Sequence, residues 1–209
     1  MEIRVLRLGM VNTNCYIFRA DGSPTCAVVD PGDSGERIAA LLRERGLEPE
    51  AVLLTHGHFD HILGIPVLRA AWPDLPVWCH PADLGEGDAT RIFGETFPTV
   101  RSFGDISTYD EGDTVHVAGM EVAVLHTPGH TPGSVVLKAG DVLFTGDTLF
   151  AGSMGRTDLP GGDEGQIMRS LRRLYELEED YQVLPGHEGQ STLEQERKSN
   201  YCLRMAMRG

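Results

Sequence analysis

From Thr55 to His61 the chain reads Thr-His-Gly-His-Phe-Asp-His, so the six positions from His56 carry three imidazoles and one carboxylate. The run follows the apolar stretch Ala51-Val52-Leu53-Leu54, which puts it at the end of a strand. Neutral imidazole and carboxylate are favoured ligands of first-row metals. A rigid strand end followed by flexible Gly57 lets His56 and His58 converge while Asp60 and His61 point elsewhere. One short turn can therefore seed two metal positions.

Further donors recur along the chain, each at the end of an apolar segment with a glycine beside it. His130 lies in Pro128-Gly129-His130-Thr131-Pro132-Gly133, Asp147 in Leu143-Phe144-Thr145-Gly146-Asp147, and His187 in Leu184-Pro185-Gly186-His187-Glu188. On these residues the sequence resembles the metallo-β-lactamase-fold hydrolases, whose five ordered motifs match Asp30, the His56 to His61 cluster, His130, Asp147 and His187. Within that superfamily it is similar to the glyoxalase II group and its short bacterial members. That likeness rests on Asn14-Cys15-Tyr16, Val29-Asp30-Pro31-Gly32, Gly155-Arg156-Thr157-Asp158 and Pro185-Gly186-His187-Glu188. Longer members hold glutathione partly through a C-terminal helical domain, for which no counterpart is expected in a sequence ending at Gly209.

The resemblance implies an α+β fold, the four-layer αβ/βα sandwich, as a single domain over residues 1–209. It implies that His56, His58 and His130 hold one metal, that Asp60, His61 and His187 hold a second, and that Asp147 bridges them. Asp60 and Asp147 are then the carboxylates at the reacting centre. The expected cofactor is a pair of divalent ions, zinc first, with iron or manganese as alternatives, because His/Asp sites accept each according to availability. The expected reaction is hydrolysis of a thioester, S-lactoylglutathione or a related 2-hydroxyacyl thioester, by a metal-bound hydroxide. A thiolate leaves readily, so no strong general acid is demanded.

Rival readings share the fold. Persulfide dioxygenases carry the same His-rich run and Gly-Arg-Thr-Asp but use one iron held by two histidines and an aspartate. Lactone hydrolases use the same metal centre, and a metal-binding protein without turnover would leave the complete ligand set unexplained. A β-lactamase fits less well, since the common β-lactamases lack the bridging aspartate and place cysteine in the second site.

Other residues admit two roles. Asp30 could merely make the Asp-Pro-Gly turn, but the resemblance sets it beneath the metal loop as an acceptor that orients ligands. Arg156 could pair with Asp158, or its planar guanidinium could grip a substrate carboxylate as a basic residue does in the longer glyoxalase II enzymes. His80, His116 and His126 lie in or beside strands without partner motifs and are expected to be structural. Arg197, Lys198, Arg204 and Arg208 read as a solvated face.

The elements that must carry these residues are legible as short runs. Strands are predicted at 2–8, 14–19, 26–30, 51–55, 76–79, 114–117, 120–126, 134–138, 141–146 and 181–184. Asp33 and Glu36 have capping-box spacing ahead of a helix over 34–45 that stops at Gly46. A second helix is predicted at 62–71 before Pro73, a third behind an Asp163/Gln166 capping box with Ile167, Leu171, Leu174 and Tyr175 on one face, and a last one from Ser191. Residues 85–113 show no sustained period and read as a lid or wall over the site.

At 209 residues and 41% hydrophobic content the chain suits one packed domain. Its 18 basic and 31 acidic residues give a formal charge of −13, which opposes a phosphate backbone, so a nucleic acid is not an expected partner. No apolar run has signal-peptide or membrane-spanning length, and Cys15, Cys26, Cys79 and Cys202 form no Cys-x-x-Cys pair. A cytoplasmic enzyme acting on a small-molecule thioester, away from membranes, is the expectation. No feature of the sequence sets an oligomeric state.

Overall fold

The computed structural model describes residues 1–85 and 89–208; positions 86–88 of the expected 85–113 lid lie outside the described residues. In the first half, β1 (Glu2–Leu8), β2 (Thr13–Arg19) and β3 (Thr25–Val29) lead to α1 (Gly35–Glu44), β4 (Glu48–Leu53), α2 (Phe59–Ile62), α3 (Ile65–Ala71) and β5 (Val77–Cys79). A hairpin of β6 (Ala89–Ile92) and β7 (Glu95–Pro98) follows, then the short β8 (Ser107–Thr108). The second half holds β9 (Thr114–Val117), β10 (Met120–His126), β11 (Val135–Ala139), β12 (Val142–Gly146), β13 (Leu149–Phe150) and β14 (Ser153–Met154). It ends with α4 (Glu164–Tyr175), β15 (Gln182–Pro185), β16 (Ser191–Thr192), α5 (Leu193–Ser199) and α6 (Tyr201–Ala206). Two six-stranded sheets result, ordered β1-β2-β3-β4-β5-β8 and β16-β15-β12-β11-β10-β9.

Side chains along a strand alternate between faces, and here each strand feeds two cores. Cys15, Ile17, Val28, Val52 and Leu54 face α1 and α3, whereas Tyr16, Phe18, Val29 and Leu53 face the other sheet. In the second sheet Val124, Leu137 and Phe144 meet that same inter-sheet core, while Val136, Leu143 and Val183 pack on α4 and α6. Three cores between four layers make the αβ/βα sandwich that the resemblance implies. Both central faces are apolar because both are covered.

Strand direction then fixes where the loops fall. β3, β4 and β5 run parallel, so Asp30, the His56 run and His80 leave the first sheet at one end. β10 and β12 are each antiparallel to β11, and β12 is parallel to β15. The loops bearing His130, Asp147 and His187 therefore emerge together, at the mouth of the sandwich.

Four expectations about local structure need correction. The α1 capping box does not form: Ser34 is the N-cap at φ 49 without a side-chain bond, and Asp33 takes the Ser34 N–H instead. The helix expected at 62–71 is two, α2 beginning inside the metal loop and α3 starting after Gly64 with proline in its first turn. The segment expected to be irregular contains the β6–β7 hairpin and a 3₁₀ turn, Val100–Phe103. The helix expected from Ser191 begins at Leu193 and breaks at Asn200, which accepts from Leu203 N–H and caps α6.

Candidate metal centre

Seven sequence-predicted donors converge. His56, His58 and His130 form one trio and Asp60, His61 and His187 another, with the donor atoms of each trio within 4.8 Å of one another. Asp147 stands between them: its Oδ2 lies 3.5 Å from His130 Nε2 and 3.5 Å from His187 Nε2, and its Oδ1 lies 3.5 Å from His61 Nε2. His187 Nε2 and His61 Nε2 approach Asp60 Oδ2 to 3.2 and 3.4 Å.

Three of the five rings, His56, His61 and His130, are aimed by a bond on the far side. Thr55 hydroxyl donates to Asp30 Oδ2 at 2.7 Å and lies 3.1 Å from His56 Nδ1. Asp30 Oδ1 accepts Thr55 N–H at 2.8 Å, and Oδ2 takes His61 Nδ1 at 3.0 Å. Asp30 is buried at φ 50, a conformation aspartate adopts more readily than most residues. It thus sits behind the loop and turns His61 Nε2 inward. His130 Nδ1 lies 2.8 Å from the Arg156 carbonyl, which turns Nε2 inward too. A ligating histidine that bonds outward through its other nitrogen is the usual arrangement at metal sites.

The glyoxalase-like motifs acquire physical reasons here. Asn14 N–H donates to Gly186 O at 2.7 Å, its Nδ2 donates to Pro185 O at 3.0 Å, and Tyr16 OH donates to Pro185 O at 2.8 Å. Asn14 and Tyr16, on one face of β2, thereby fasten the His187 loop to the opposite sheet. A Cβ on Gly186 would lie 2.3 Å from Asp147 Oδ1 and 2.7 Å from His61 Cε1, so only glycine lets the loop approach.

The centre is electrostatically divided. Burial holds His56 far below the ordinary histidine range, with the neighbouring imidazoles adding to it, and the same causes lower His58 to about 3. Burial also lowers His61, but the carboxylates of Asp60, Asp30 and Asp147 outweigh it and raise the ring to about 10. Burial works against ionised Asp60, yet the charge of His61 and the hydrogen bond from His187 hold its carboxyl well below the usual range. The carboxylate side therefore calls for positive charge, while His56 and His58 stay neutral and free to donate lone pairs.

Metal ions fit these residues. Among the described residues, four buried side-chain polar atoms lack a hydrogen-bond partner, and three of them, His56 Nε2, His61 Nε2 and Asp147 Oδ1, face this centre. Buried polar atoms without partners are rare and costly, and metal coordination would satisfy all three. His58 Nδ1 and His130 Nε2 also face each other at 2.8 Å.

Residues 8–187 match the profile of the metallo-beta-lactamase superfamily. The chain belongs to that superfamily. It is 34% identical to "Probable metallo-hydrolase YqgX" of Bacillus subtilis, over 96% of each chain, and 32% identical to hydroxyacylglutathione hydrolase GloC of Haemophilus influenzae, over 96% of this chain and 97% of that one. Among solved structures it is similar to BLEG-1 B3 metallo-beta-lactamase (TM-score 0.87, 33% identity, 97% and 99% coverage). TTHA1623 in a di-iron-bound form gives a TM-score of 0.80 at 36% identity, with 95% and 98% coverage. ETHE1 from Myxococcus xanthus gives 0.81 at 27% identity, with 96% and 84% coverage.

The centre opens into a cleft of about 1000 Å³. Arg7 and Arg156 bring positive charge to its lining, and Phe93 and Phe150 bring apolar surface. Arg156 makes the expected pair, Nε and Nη2 gripping Asp158 at 2.6 and 2.7 Å, and its guanidinium lies 5.5 Å from the Phe93 ring. Sequence reasoning missed its main-chain role toward His130, and missed Thr13, whose hydroxyl donates to Asp60 Oδ2 at 3.0 Å.

His80 and His126, expected to be structural, are held by neighbours in the fold. Their rings stack at 4.3 Å and 8°, His80 Nε2 lies 3.0 Å from Asp110 Oδ1, and His126 Nε2 lies 2.9 Å from Pro132 O. Ring nitrogen lone pairs lie in the ring plane, so parallel stacked imidazoles do not aim at one ion. The trio braces the ends of β5 and β10. Arg197 also leaves the solvated face, donating to the carbonyl of Tyr175 at the end of α4 and to those of Leu177 and Glu179 just beyond it.

Proposed function

We propose that the protein is a dinuclear metallohydrolase that cleaves a thioester, a 2-hydroxyacyl thioester such as S-lactoylglutathione, to the acid and the free thiol. The carrying observation is Asp147, whose two oxygens face donors of both trios at 3.5 Å. His56, His58 and His130 would hold one divalent ion, and Asp60, His61 and His187 the other. When bound, such a pair lowers the pKa of a water toward about 7 and polarises a carbonyl oxygen.

The chain's own residues supply the rest. Asp30 and the Arg156 carbonyl hold the imidazoles in register, and Thr13 keeps Asp60 turned inward. Phe93 and Phe150 give the cleft an apolar wall that lowers the local dielectric and strengthens interactions within it. The Arg156 guanidinium, with Nη1 outside its pair with Asp158, suits a carboxylate on the substrate. The sulfur leaves as a stable thiolate, so the absence of a dedicated acid from this scheme costs little. Three buried free cysteines and the net charge of −13 support a reducing cytoplasmic setting and a small-molecule partner.

The likeness to ETHE1 keeps a persulfide dioxygenase as the second reading, because that chemistry needs only His56, His130 and Asp147. Substitution of His187 separates the two. In a dinuclear hydrolase His187→Ala removes a terminal ligand, and thioester hydrolysis falls by at least the roughly 10–100-fold typical of weaker perturbations around a metal. Wild-type protein that consumes oxygen with a persulfide but spares thioesters, and keeps that activity in His187→Ala, would replace the hydrolase reading. A β-lactam assayed alongside covers the activity named for BLEG-1 and is expected to turn over more slowly than the thioester.

A further inference from the structure

Asp83 ends the 3₁₀ turn Pro81–Asp83 that follows β5, and it is a buried carboxylate with 9% exposure. It contributes no donor to either trio, yet it touches the loops of the first one on both sides. Oδ2 accepts Gly57 N–H at 2.9 Å, between His56 and His58, and the Thr131 hydroxyl at 2.6 Å, next to His130. Oδ1 accepts Gly133 N–H at 2.7 Å. These bonds span 26, 48 and 50 residues of sequence. The contact is tight enough to dictate glycine: a Cβ on Gly57 would lie 2.4 Å from Asp83 O, and one on Gly133 would lie 2.6 Å from Asp83 Cγ.

We propose that Asp83 is a positioning residue that clamps the His56–His58 loop of one sheet to the His130 loop of the other, so that the three imidazoles converge before a metal arrives. The inference rests on reading that trio as metal ligands. Its physical basis is pre-organisation: the loops come from different halves of the molecule, and one carboxyl group buried between them accepts from three donors on both. The Thr131 hydroxyl, also 2.7 Å from Ser134 Oγ, stiffens the second loop internally. Asp83 and Asp30 then divide the work, since Asp30 bonds to Thr55, the residue before His56, and to His61 of the second trio.

The test uses Co²⁺ as the probe, added to chelator-stripped full-length protein and followed by visible absorption and calorimetry. Wild type should take two equivalents. In Asp83→Ala the affinity of the first site should weaken by about 10–100-fold, with its cobalt spectrum altered, while the second site keeps near its wild-type value. Thr131→Val, which removes one of the three bonds and leaves the fold's cores untouched, should shift the same site in the same direction by less. A purely structural Asp83 would lower the melting temperature of metal-free protein without separating the two sites. Should Asp83→Ala fail to fold, Thr131→Val decides alone. Wild-type affinities at both sites in Asp83→Ala, or in Thr131→Val if it alone folds, would overturn the clamp and leave the metal centre standing, whereas wild type that takes up no cobalt would overturn both.

Discussion

Arg156 shows how one residue can serve a site through two parts of itself. Its carbonyl orients His130, while its side chain, paired with Asp158 and lying by Phe93, reaches the cleft. Arg156→Ala keeps the carbonyl and removes the guanidinium, so a thioester with a free carboxylate should lose ground-state binding, with KM rising more than kcat falls. Steady-state kinetics check this, and an unchanged KM would confine the side chain to its pair with Asp158. The donors themselves were legible in the sequence because imidazoles and carboxylates clustered beside glycines at strand ends are unusual for any other purpose. Thr13, Thr55 and Asp83 were not, since hydroxyls and single carboxylates are common and their partners lie far off in sequence.

Strands and helices were legible where local pattern and final environment agreed. The continuous apolar runs at 15–18, 51–54 and 142–144 suit strands covered on both faces, and both faces are buried. At α4 the expected cap forms: Asp163 Oδ1 accepts Gln166 N–H at 2.8 Å, although Gln166 Nε2 returns to Asp163 Oδ2 at 3.2 Å rather than to the main chain. Ile167, Leu171 and Leu174 are fully buried beneath it, each worth roughly 1.5–3 kcal/mol. Asp163→Ala should therefore cost about 1 kcal/mol, a fall in melting temperature of about 2–4 °C in calorimetry. No change would mean that tertiary packing alone fixes the start of α4. The α1 cap failed because the same Asp-x-x-Glu spacing is overridden by the left-handed Ser34, a tertiary choice invisible locally. The β6–β7 hairpin was hidden for a similar reason: its turn puts Phe93 at φ 53 and Gly94 at φ 83, and phenylalanine is a rare choice there. What fastens that hairpin is Phe97 stacked on Phe59 at 4.0 Å, a contact made only after folding.

Across the whole molecule, the sandwich brings together what neither half holds alone. The first sheet delivers His56, His58, Asp60 and His61; the second delivers His130, Asp147 and His187. Burial of the centre between them leaves three polar atoms unpartnered among the described residues, a cost that bound cations would remove. No helix among the described residues is long and apolar enough to cross a membrane. In the proposed function, two ions held by the seven donors would act together on one thioester. Stripping the protein with a chelator and restoring Zn²⁺ stepwise, while following thioester hydrolysis, tests this most directly. Negligible activity is expected in the stripped protein, with the rate climbing until two equivalents per chain are bound and then levelling. Full activity at one equivalent, or in the stripped protein, would contradict it.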